Sequence, residues 1–419
     1  MLCLPIASRS GVRTPPLDAL FTSTSAACVT GLVLYDTFTH WSLFGQIVIL
    51  SLFQIGGIGF MTVITMFSIF LKRKIGLYER QVLVQSTGLL KLGGVVQLIK
   101  RIVLLSLCIE LVGSALLALR FCPLMGVKTG VYNAVFHSIS AFCNSGFDLM
   151  GKYGQFSSLG YFVKDFPVTI TLVFLIITGG IGFVVLDDIC IYKFRFEKYS
   201  LHTKITLTVT GILILLGLIL FYVFESNGLL AGFTVPQKLL AALFQSVTAR
   251  TSGFYAIDTA GLKEASVILA MVFMFIGGGS GSTAGGIKTS TLAILVLSAV
   301  NSTRKMNKML IFKRNLSDKT VKYASSIVTI YLFAVITSAI IICSFEPFSL
   351  REALFESVSA LGTAGLSLGI TPVLGSAAKT VVILLMFSGR LGWITLLLAF
   401  AKKHIDPAFD RPGEKILIG

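Results

Sequence analysis

Long apolar stretches separated by short polar and basic segments run through this 419-residue chain. Each apolar stretch reaches about 20 residues, the length that crosses the hydrocarbon core of a bilayer as an α-helix. Regular alternation of apolar and polar positions, which a membrane barrel requires, is absent. We therefore predict an all-α integral membrane protein with about seven or eight spanning helices plus re-entrant segments. The predicted spans are 42–71, 102–119, 168–192, 205–224, 265–298, 321–343 and 377–401.

A short stretch of similar composition occurs four times between these spans. Each copy opens with Phe, continues through small hydroxyl-bearing residues, and closes on Gly followed by Leu or Phe. The copies read FTSTSAACVTGL from Phe21, FHSISAFCNSGF from Phe136, FQSVTARTSGF from Phe244 and FESVSALGTAGL from Phe355. The closing glycines Gly31, Gly146, Gly253 and Gly365 are 115, 107 and 112 residues apart. So regular a period predicts four copies of one structural unit.

The composition of this stretch indicates what the unit does. Its first half suits a short, closely packed helix, and its second half carries a glycine that is free to take positive φ. Such a segment can turn its carbonyl oxygens inward, and four of them would form a ring of oxygens for a dehydrated cation. We predict units of outer helix, pore helix, filter segment and inner helix, arranged with pseudo-fourfold symmetry around one central pore. The units are 1–71, in which the outer helix is missing, 72–192, 193–313 and 314–419, the last with a cytosolic C-terminal tail.

Composition and charge agree with a membrane location. Hydrophobic residues are 55% and charged residues 13% of the chain, whereas about 25% is charged in soluble domains. The net charge is +16, and 22 of the 35 Lys and Arg residues fall in 72–101, 193–204, 304–322 and 402–415. These stretches alternate with the four glycine segments, which places the basic loops in the cytoplasm and the glycine ends outside. Basic residues interleaved with aromatics, as in a single-strand nucleic-acid groove, are not found.

A glycine-rich break interrupts the span 265–298. The sequence GGGSGSTAGGIK at 277–288 contains six glycines in twelve residues, a composition that no uninterrupted helix favours. Unwound backbone at membrane depth is tolerated only beside protein or water, so we expect this break to line the pore below the filter. It superficially resembles a phosphate-binding loop, but no strand precedes it and an apolar span surrounds it, so no nucleotide site is predicted.

Two cations lie within apolar spans. Arg390 is near the middle of 377–401, where an unpaired Arg costs about 2.5–3.5 kcal/mol on insertion scales. It either pairs with an intramembrane carboxylate such as Glu110 or acts as an electrostatic gate below the filter. Lys288, at the end of the glycine-rich break, either snorkels to the interface or makes a gating contact.

Three carboxylates follow the closing glycines of the repeated stretch. Asp36, Asp148 and Asp258 come five, two and five residues after their glycines. They are either solvated loop residues or an outer mouth that concentrates cations.

The seven Cys residues form no C-x-x-C pattern and the four His residues are scattered, so neither a metal centre nor an enzyme active site is predicted.

Taken in order, these motifs resemble the membrane subunit of the Ktr/Trk/HKT superfamily of potassium transporters, in particular its bacterial KtrB-type subunit. The resemblance covers essentially the whole chain. It rests on VTGL at 29–32, NSGF at 144–147, RTSGF at 250–254, TAGL at 363–366, GGSGSTAGGIK at 278–288, SGR at 388–390 and EKILIG at 414–419.

The resemblance implies potassium uptake across the bacterial cytoplasmic membrane by a multi-pass protein. The selectivity filter would comprise Val29, Thr30, Gly31, Asn144, Ser145, Gly146, Thr251, Ser252, Gly253, Thr363, Ala364 and Gly365. The gate would comprise Gly277, Gly278, Gly279, Ser280, Gly281, Ser282, Thr283, Gly285, Gly286, Lys288 and Arg390. The filter carbonyls would bind the transported potassium ion, and no covalent cofactor is implied.

The resemblance also implies partners. The chain would form a homodimer resting on a cytosolic KtrA-type ring, with the regulatory nucleotide bound by that ring and not by this chain. Basic loops, especially 301–322, would meet the ring or anionic lipid. Relatives with Ser at the first filter position tend towards sodium permeation, so Gly31 indicates potassium. A sodium-permeable or mixed transporter of the same fold stays an alternative. An alternating-access carrier is a further one, although carriers are usually built from two related halves.

Overall fold

The computed structural model describes residues 1–59, 62–63, 95–193, 195–304, 310–312, 314–315 and 318–392. This part of the chain is almost entirely helical, which confirms the predicted helical class. Its one small hairpin pairs β1 (Leu310–Ile311) with antiparallel β2 (Arg314–Asn315) in the basic stretch 304–322.

The helices follow one another in four groups. The first group contains α1 (Pro16–Ala27), α2 (Thr37–His40) and α3 (Leu43–Ile58). The second contains α4 (Val95–Met125), α5 (Val127–Cys143), α6 (Phe166–Gly180) and α7 (Phe183–Tyr192). The third contains α8 (Leu201–Glu225), α9 (Val235–Thr251), α10 (Glu264–Phe275) and α11 (Thr289–Thr303). The fourth contains α12 (Asp318–Phe345), α13 (Leu350–Gly362) and α14 (Ser376–Leu391). Single-turn 3-10 helices lie at Pro5–Ala7, Met150–Lys152, Gly160–Phe162, Phe196–Lys198 and Thr371–Val373.

Helices α4, α8 and α12 are long and apolar enough to cross a membrane. They contain the predicted outer spans 102–119, 205–224 and 321–343, and large leucines such as Leu111 and Leu215 are exposed on their outer faces. Exposed apolar faces on long helices are what lipid contact requires. Within residues 1–59, 95–193 and the other described ranges, the inner spans are shorter helices. The predicted spans 42–71 and 377–401 continue into residues outside the described ranges.

The predicted apolar span 168–192 is not one straight helix. Helices α6 and α7 meet at an angle of 101°. Gly182 has φ +104° at the bend, and a Cβ added there would lie 2.7 Å from the carbonyl oxygen of Ser280. The amide of Phe183 donates to the carbonyl of Gly281 at 2.9 Å. The bend therefore forms where this helix pair packs on the glycine-rich break, whose predicted interruption of 265–298 is confirmed by the gap between α10 and α11.

The packing order of the helices is cyclic. Within the groups, α4 packs on α5, α8 on α9 and α12 on α13. Between groups, α3 packs on α5, α6 on α9, α10 on α13 and α14 on α1. Each helix that follows a glycine segment thus packs on the short helix of the next group, and the fourth group closes on the first. Phe21, Phe136, Phe244 and Phe355, which open the repeated stretch, are all buried in the resulting core.

Candidate ion pathway and gate

The four short helices α1, α5, α9 and α13 end two to four residues before the glycines Gly31, Gly146, Gly253 and Gly365. The C-terminal end of a helix carries about half a negative charge. Val29, Asn144 and Thr363 have φ +57°, +58° and +48°, the left-handed conformation that commonly terminates a helix. Three of the four chains therefore turn sharply out of the helix two residues before the glycine.

The four glycines lie side by side in a closed ring. All have positive φ, between +70° and +90°. A Cβ added to Gly31 would lie 3.3 Å from the Cα of Gly146 and 3.4 Å from that of Gly365. A Cβ added to Gly253 would lie 3.2 Å from Gly146 Cα and 3.1 Å from Gly365 Cα. Each glycine thus has two others as neighbours, in chain order, and any side chain would meet backbone.

One hydrogen bond recurs behind the ring. The amide of Thr30 donates to the carbonyl of Ser25 at 2.8 Å. The equivalent bonds are Ser145 to Ser140 at 2.9 Å and Ala364 to Ser359 at 2.8 Å. These bonds hold the amide before each glycine against its own short helix.

The third copy of the stretch differs in a way that its length explains. Its glycine comes nine positions after its phenylalanine, instead of ten as in the other copies. Helix α9 continues to Thr251, and Ser252 has φ −102°, so no left-handed residue precedes Gly253. The hydroxyl of Thr248 donates to the carbonyl of Phe254 and so fixes the segment directly.

A cavity of about 510 Å³ lies against one side of the glycine ring. Asp36, Asp148 and Asp258 line it together with the four glycines. The three carboxylates predicted at the outer mouth are thus brought together around one space. Their hydrogen bonds distinguish them.

Asp36 is buried, and its carboxylate accepts three hydrogen bonds from backbone amides. Its Oδ1 accepts from the amides of Phe38 at 3.1 Å and Thr39 at 2.8 Å, which caps α2. Its Oδ2 accepts from the amide of Phe156 at 3.1 Å. Phe156 has φ +55°, and its carbonyl accepts from the hydroxyl of Tyr255. Asp36 and Tyr255 therefore anchor the segment that follows Gly146.

Asp148 and Asp258 are less constrained. Asp148 accepts from the amide of Met150 at 2.9 Å, and burial raises its pKa to about 7, with the nearby Asp36 charge adding to the shift. Asp258 is exposed and accepts from the amide of Ala260 at 3.0 Å. A carboxylate with a pKa near neutrality carries a charge that depends on external pH.

The glycine-rich break 277–288 lies in contact with several groups of helices. The amide of Gly279 donates to Gly180 of α6 at 2.8 Å. A Cβ added to Gly285 would collide with the side chain of Thr363, two residues before a ring glycine. Ile276 and Ile287, at the two ends of the break, form a parallel bridge. The break therefore folds back on itself as a loop close to the glycine ring.

Arg390 binds this loop from α14. Its guanidinium donates to the carbonyls of Thr283 and Gly56, and to that of Gly57 at 3.3 Å. Glu110, the alternative partner, instead accepts from the side-chain amide nitrogen of Gln54 at 3.1 and 3.0 Å. Arg390 thus joins the loop to the end of α3.

Lys288 does not extend towards an interface. Its Nζ donates to the carbonyls of Ala284 at 2.6 Å and Gly285 at 3.4 Å. The ammonium group thus closes the loop on itself.

Two buried charged residues have a place at this site that sequence reasoning missed. Arg250 of α9 donates to the carbonyl of Gly277 at 3.3 Å. Glu356 of α13 accepts from the hydroxyls of Thr371 at 2.5 Å and Ser367 at 2.8 Å, shortly after Gly365. Each is the only charged residue in its copy of the repeated stretch, and this was the available signal for both.

The long helices α4, α8 and α12 expose apolar faces, and the four short helices end at one ring of glycines. These features define a multi-pass membrane protein with a central site. The profile of the cation transport protein family TrkH matches residues 4–411. The chain belongs to this TrkH family, and as a cation transporter of the cell membrane it is not an enzyme.

Similar proteins agree on the family. The chain is 39% identical to "Ktr system potassium uptake protein B" of Bacillus subtilis over 96% of this chain and 89% of that protein. It is 38% identical to "Potassium/sodium uptake protein NtpJ" of Enterococcus hirae over 100% of this chain and 93% of that protein. The crystal structure of the potassium transporter TrkH from Vibrio parahaemolyticus has the same fold, with TM-score 0.75 and 18% identity over 93% of this chain and 79% of that one.

Proposed function

We propose that the protein takes up potassium through a channel-like pore in the cytoplasmic membrane. The observation that carries the proposal is the ring of four glycines at the ends of four short helices. Backbone carbonyls can replace the hydration shell of a potassium ion, and four helix C-termini pointed at one place favour a cation there. The filter comprises 29–31, 144–146, 251–253 and 363–365.

The units 1–71, 72–192, 193–313 and 314–419 surround this pore with pseudo-fourfold symmetry. The cyclic packing of each inner helix on the next pore helix supports this arrangement. A carrier built from two related halves is less well supported, because the ring has four members of one motif. The cavity lined by Asp36, Asp148 and Asp258 is the outer entrance, where negative charge raises the local cation concentration.

The gate is the loop 277–286 with Lys288 and Arg390. The loop lies close to the filter, and the positive charge of Arg390 opposes a cation that leaves the filter. The bonds from Arg390 to Thr283 and Gly56 hold the loop in place. Opening therefore requires that the loop be released from these contacts.

Potassium is the favoured ion, and mixed potassium and sodium uptake is the second candidate. The Bacillus subtilis relative is named for potassium and the Enterococcus hirae relative for both ions. Gly31 at the first filter position favours potassium on the resemblance stated above. The name "Ktr system" of the relative implies more than one component, which supports a partner subunit. On the resemblance stated above, the chain forms a homodimer on a cytosolic ring that binds the nucleotide.

Growth of a potassium-uptake-deficient bacterium at limiting potassium tests the proposal. Expression of the chain should restore growth, and co-expression of a cytosolic regulatory subunit should increase the rate. Replacing external potassium by sodium, with influx of each ion measured, separates the two candidates. Protein present in the membrane without rescue or rubidium influx, with or without the regulatory subunit, would refute the proposal.

A further inference from the structure

Thr283 uses every one of its polar groups to hold the gating loop. Its amide donates to the carbonyl of Gly179 at 3.3 Å. Its hydroxyl lies 3.3 Å from the carbonyl oxygen of Phe142 and 2.9 Å from the side-chain amide of Asn144. Its carbonyl accepts from Arg390. Thr283 is fully buried, so it is the point where the gate arginine and the filter segment of the second unit meet.

Asn144 is the filter partner in this contact. It lies two residues before Gly146 and ends α5 in the left-handed conformation, with φ +58°. The amide can face Thr283 with either its nitrogen or its oxygen, and both orientations keep the 2.9 Å contact. A Cβ added to Gly180 would lie 3.2 Å from the same amide nitrogen. Asn144 is thus enclosed between its own filter segment, the bend after α6 and the gating loop.

We propose that the Asn144–Thr283 contact couples the gate to the selectivity filter. The inference rests on the proposed function, since it takes the loop as the gate and the glycine ring as the filter. The loop cannot leave its place without releasing Asn144, whose backbone turn directs the chain into Gly146. Movement of the loop therefore changes ion flux and ion discrimination together, and Asn144 and Thr283 are positioning residues for both.

Thr283→Val removes the hydroxyl while keeping the shape of the side chain. In liposomes containing the purified protein, rubidium influx should rise and the rubidium-to-sodium influx ratio should fall, each by about fivefold, the lower end of couplings between sites. Thr283→Ser, which restores the hydroxyl, should return both values. Thr171→Val is the matched control, because the Thr171 hydroxyl donates within its own helix α6, to the carbonyl of Pro167 at 2.7 Å, and lies outside the loop and the filter segments, so it should leave the ratio unchanged.

A double-mutant cycle tests the contact itself. Asn144→Ala alone should lower the ratio as Thr283→Val does, and the double variant should be no worse than either. Independent, additive effects on the ratio would overturn the coupling, as would a wild-type ratio in Thr283→Val. Asn144→Ala probes the same contact if the valine variant does not accumulate.

Failure of the coupling is distinguishable from failure of the proposed function. If Gly31→Ser alters the ratio but neither Thr283→Val nor Asn144→Ala does, the filter assignment is supported and the coupling is refuted. If Gly31→Ser also leaves the ratio unchanged, the filter assignment itself is refuted.

Discussion

Replacing Gly31 with serine perturbs the glycine ring in a way that the structure makes quantitative. Gly31 has φ +90°, and a Cβ there would lie 2.6 Å from the carbonyl oxygen of Ser145. A real Cβ essentially never comes closer than 3.0 Å to a heavy atom outside its own residue and the two adjacent residues. The backbone of Ser145 or of residue 31 must therefore move by at least about 0.4 Å. The obstacle is backbone, which cannot rotate away as a side chain would.

The size of the effect follows from this displacement of backbone. A loss of about 1.4 kcal/mol in potassium binding, when one coordinating oxygen is moved, corresponds to a factor of about ten in an equilibrium constant. Moving the Ser145 carbonyl disturbs one of the oxygens that would replace the hydration shell of potassium. We expect Gly31→Ser to lower the rubidium-to-sodium influx ratio by about tenfold.

A matched control separates backbone strain from displacement of the ring. Gly369 has φ +99° and lines the same outer cavity, but a Cβ added there meets nothing within 4 Å. Gly369→Ser therefore imposes similar local strain without moving the carbonyl of Ser145. Both variants are measured in liposomes, after gel filtration shows that each is monodisperse. An unchanged ratio in Gly31→Ser, or an equal fall in Gly369→Ser, would refute the reasoning.

Three further predictions concern charged residues. Arg390→Ala should raise rubidium influx in liposomes severalfold because it removes the charge and the hydrogen bonds that hold the loop, with Arg390→Lys intermediate; a fall would contradict the gate. Asp148 is charged only above its pKa of about 7, so uptake at limiting potassium should decline as external pH falls through that value. Asp148→Asn should flatten this pH profile, and Asp36→Asn should shift its midpoint lower because it removes a neighbouring negative charge; an unaltered profile in both would count against the entrance. Glu356→Ala leaves two hydroxyls without their acceptor and should destabilise the protein by about 1–3 kcal/mol, measured as a lower thermal midpoint that Glu356→Gln largely restores.

The helices and the glycine motif could be predicted because both depend on local chemistry. A span needs consecutive apolar residues, and the close-packed ring positions at positive φ need Gly, so both leave a direct pattern in the sequence. The irregular third copy can also be recognised in the sequence, because it is one residue shorter than the others. In the structure, this difference accompanies the extension of α9 to Thr251. The order in which the units pack depends on contacts between distant parts of the chain, and the repeated motif does not encode those contacts.

The bend at 181–182 and the bonds of Asp36 were missed for the same reason. Helices α6 and α7 are as apolar as a straight span, and the bend forms on a loop about 100 residues later in the chain. Asp36 caps α2 locally, but its bond to the amide of Phe156 spans 120 residues. Composition and spacing carry no information on such partners. A solvated carboxylate and a buried anchor therefore look alike in the sequence.

Three cations surround the glycine-rich loop 277–288 and indicate what its backbone can bind. Arg250, Lys288 and Arg390 all donate to carbonyl oxygens of the loop, and none of them forms an ion pair among the described residues. Unwound backbone in a membrane must find partners, and here positive side chains supply them. Carbonyls that bind protein cations can equally bind a permeating cation once those side chains withdraw. Under the proposed function, opening exchanges one set of positive charges for another. The loop needs glycine because the backbone of Gly180, Ile181 and Gly285 comes too close for a Cβ.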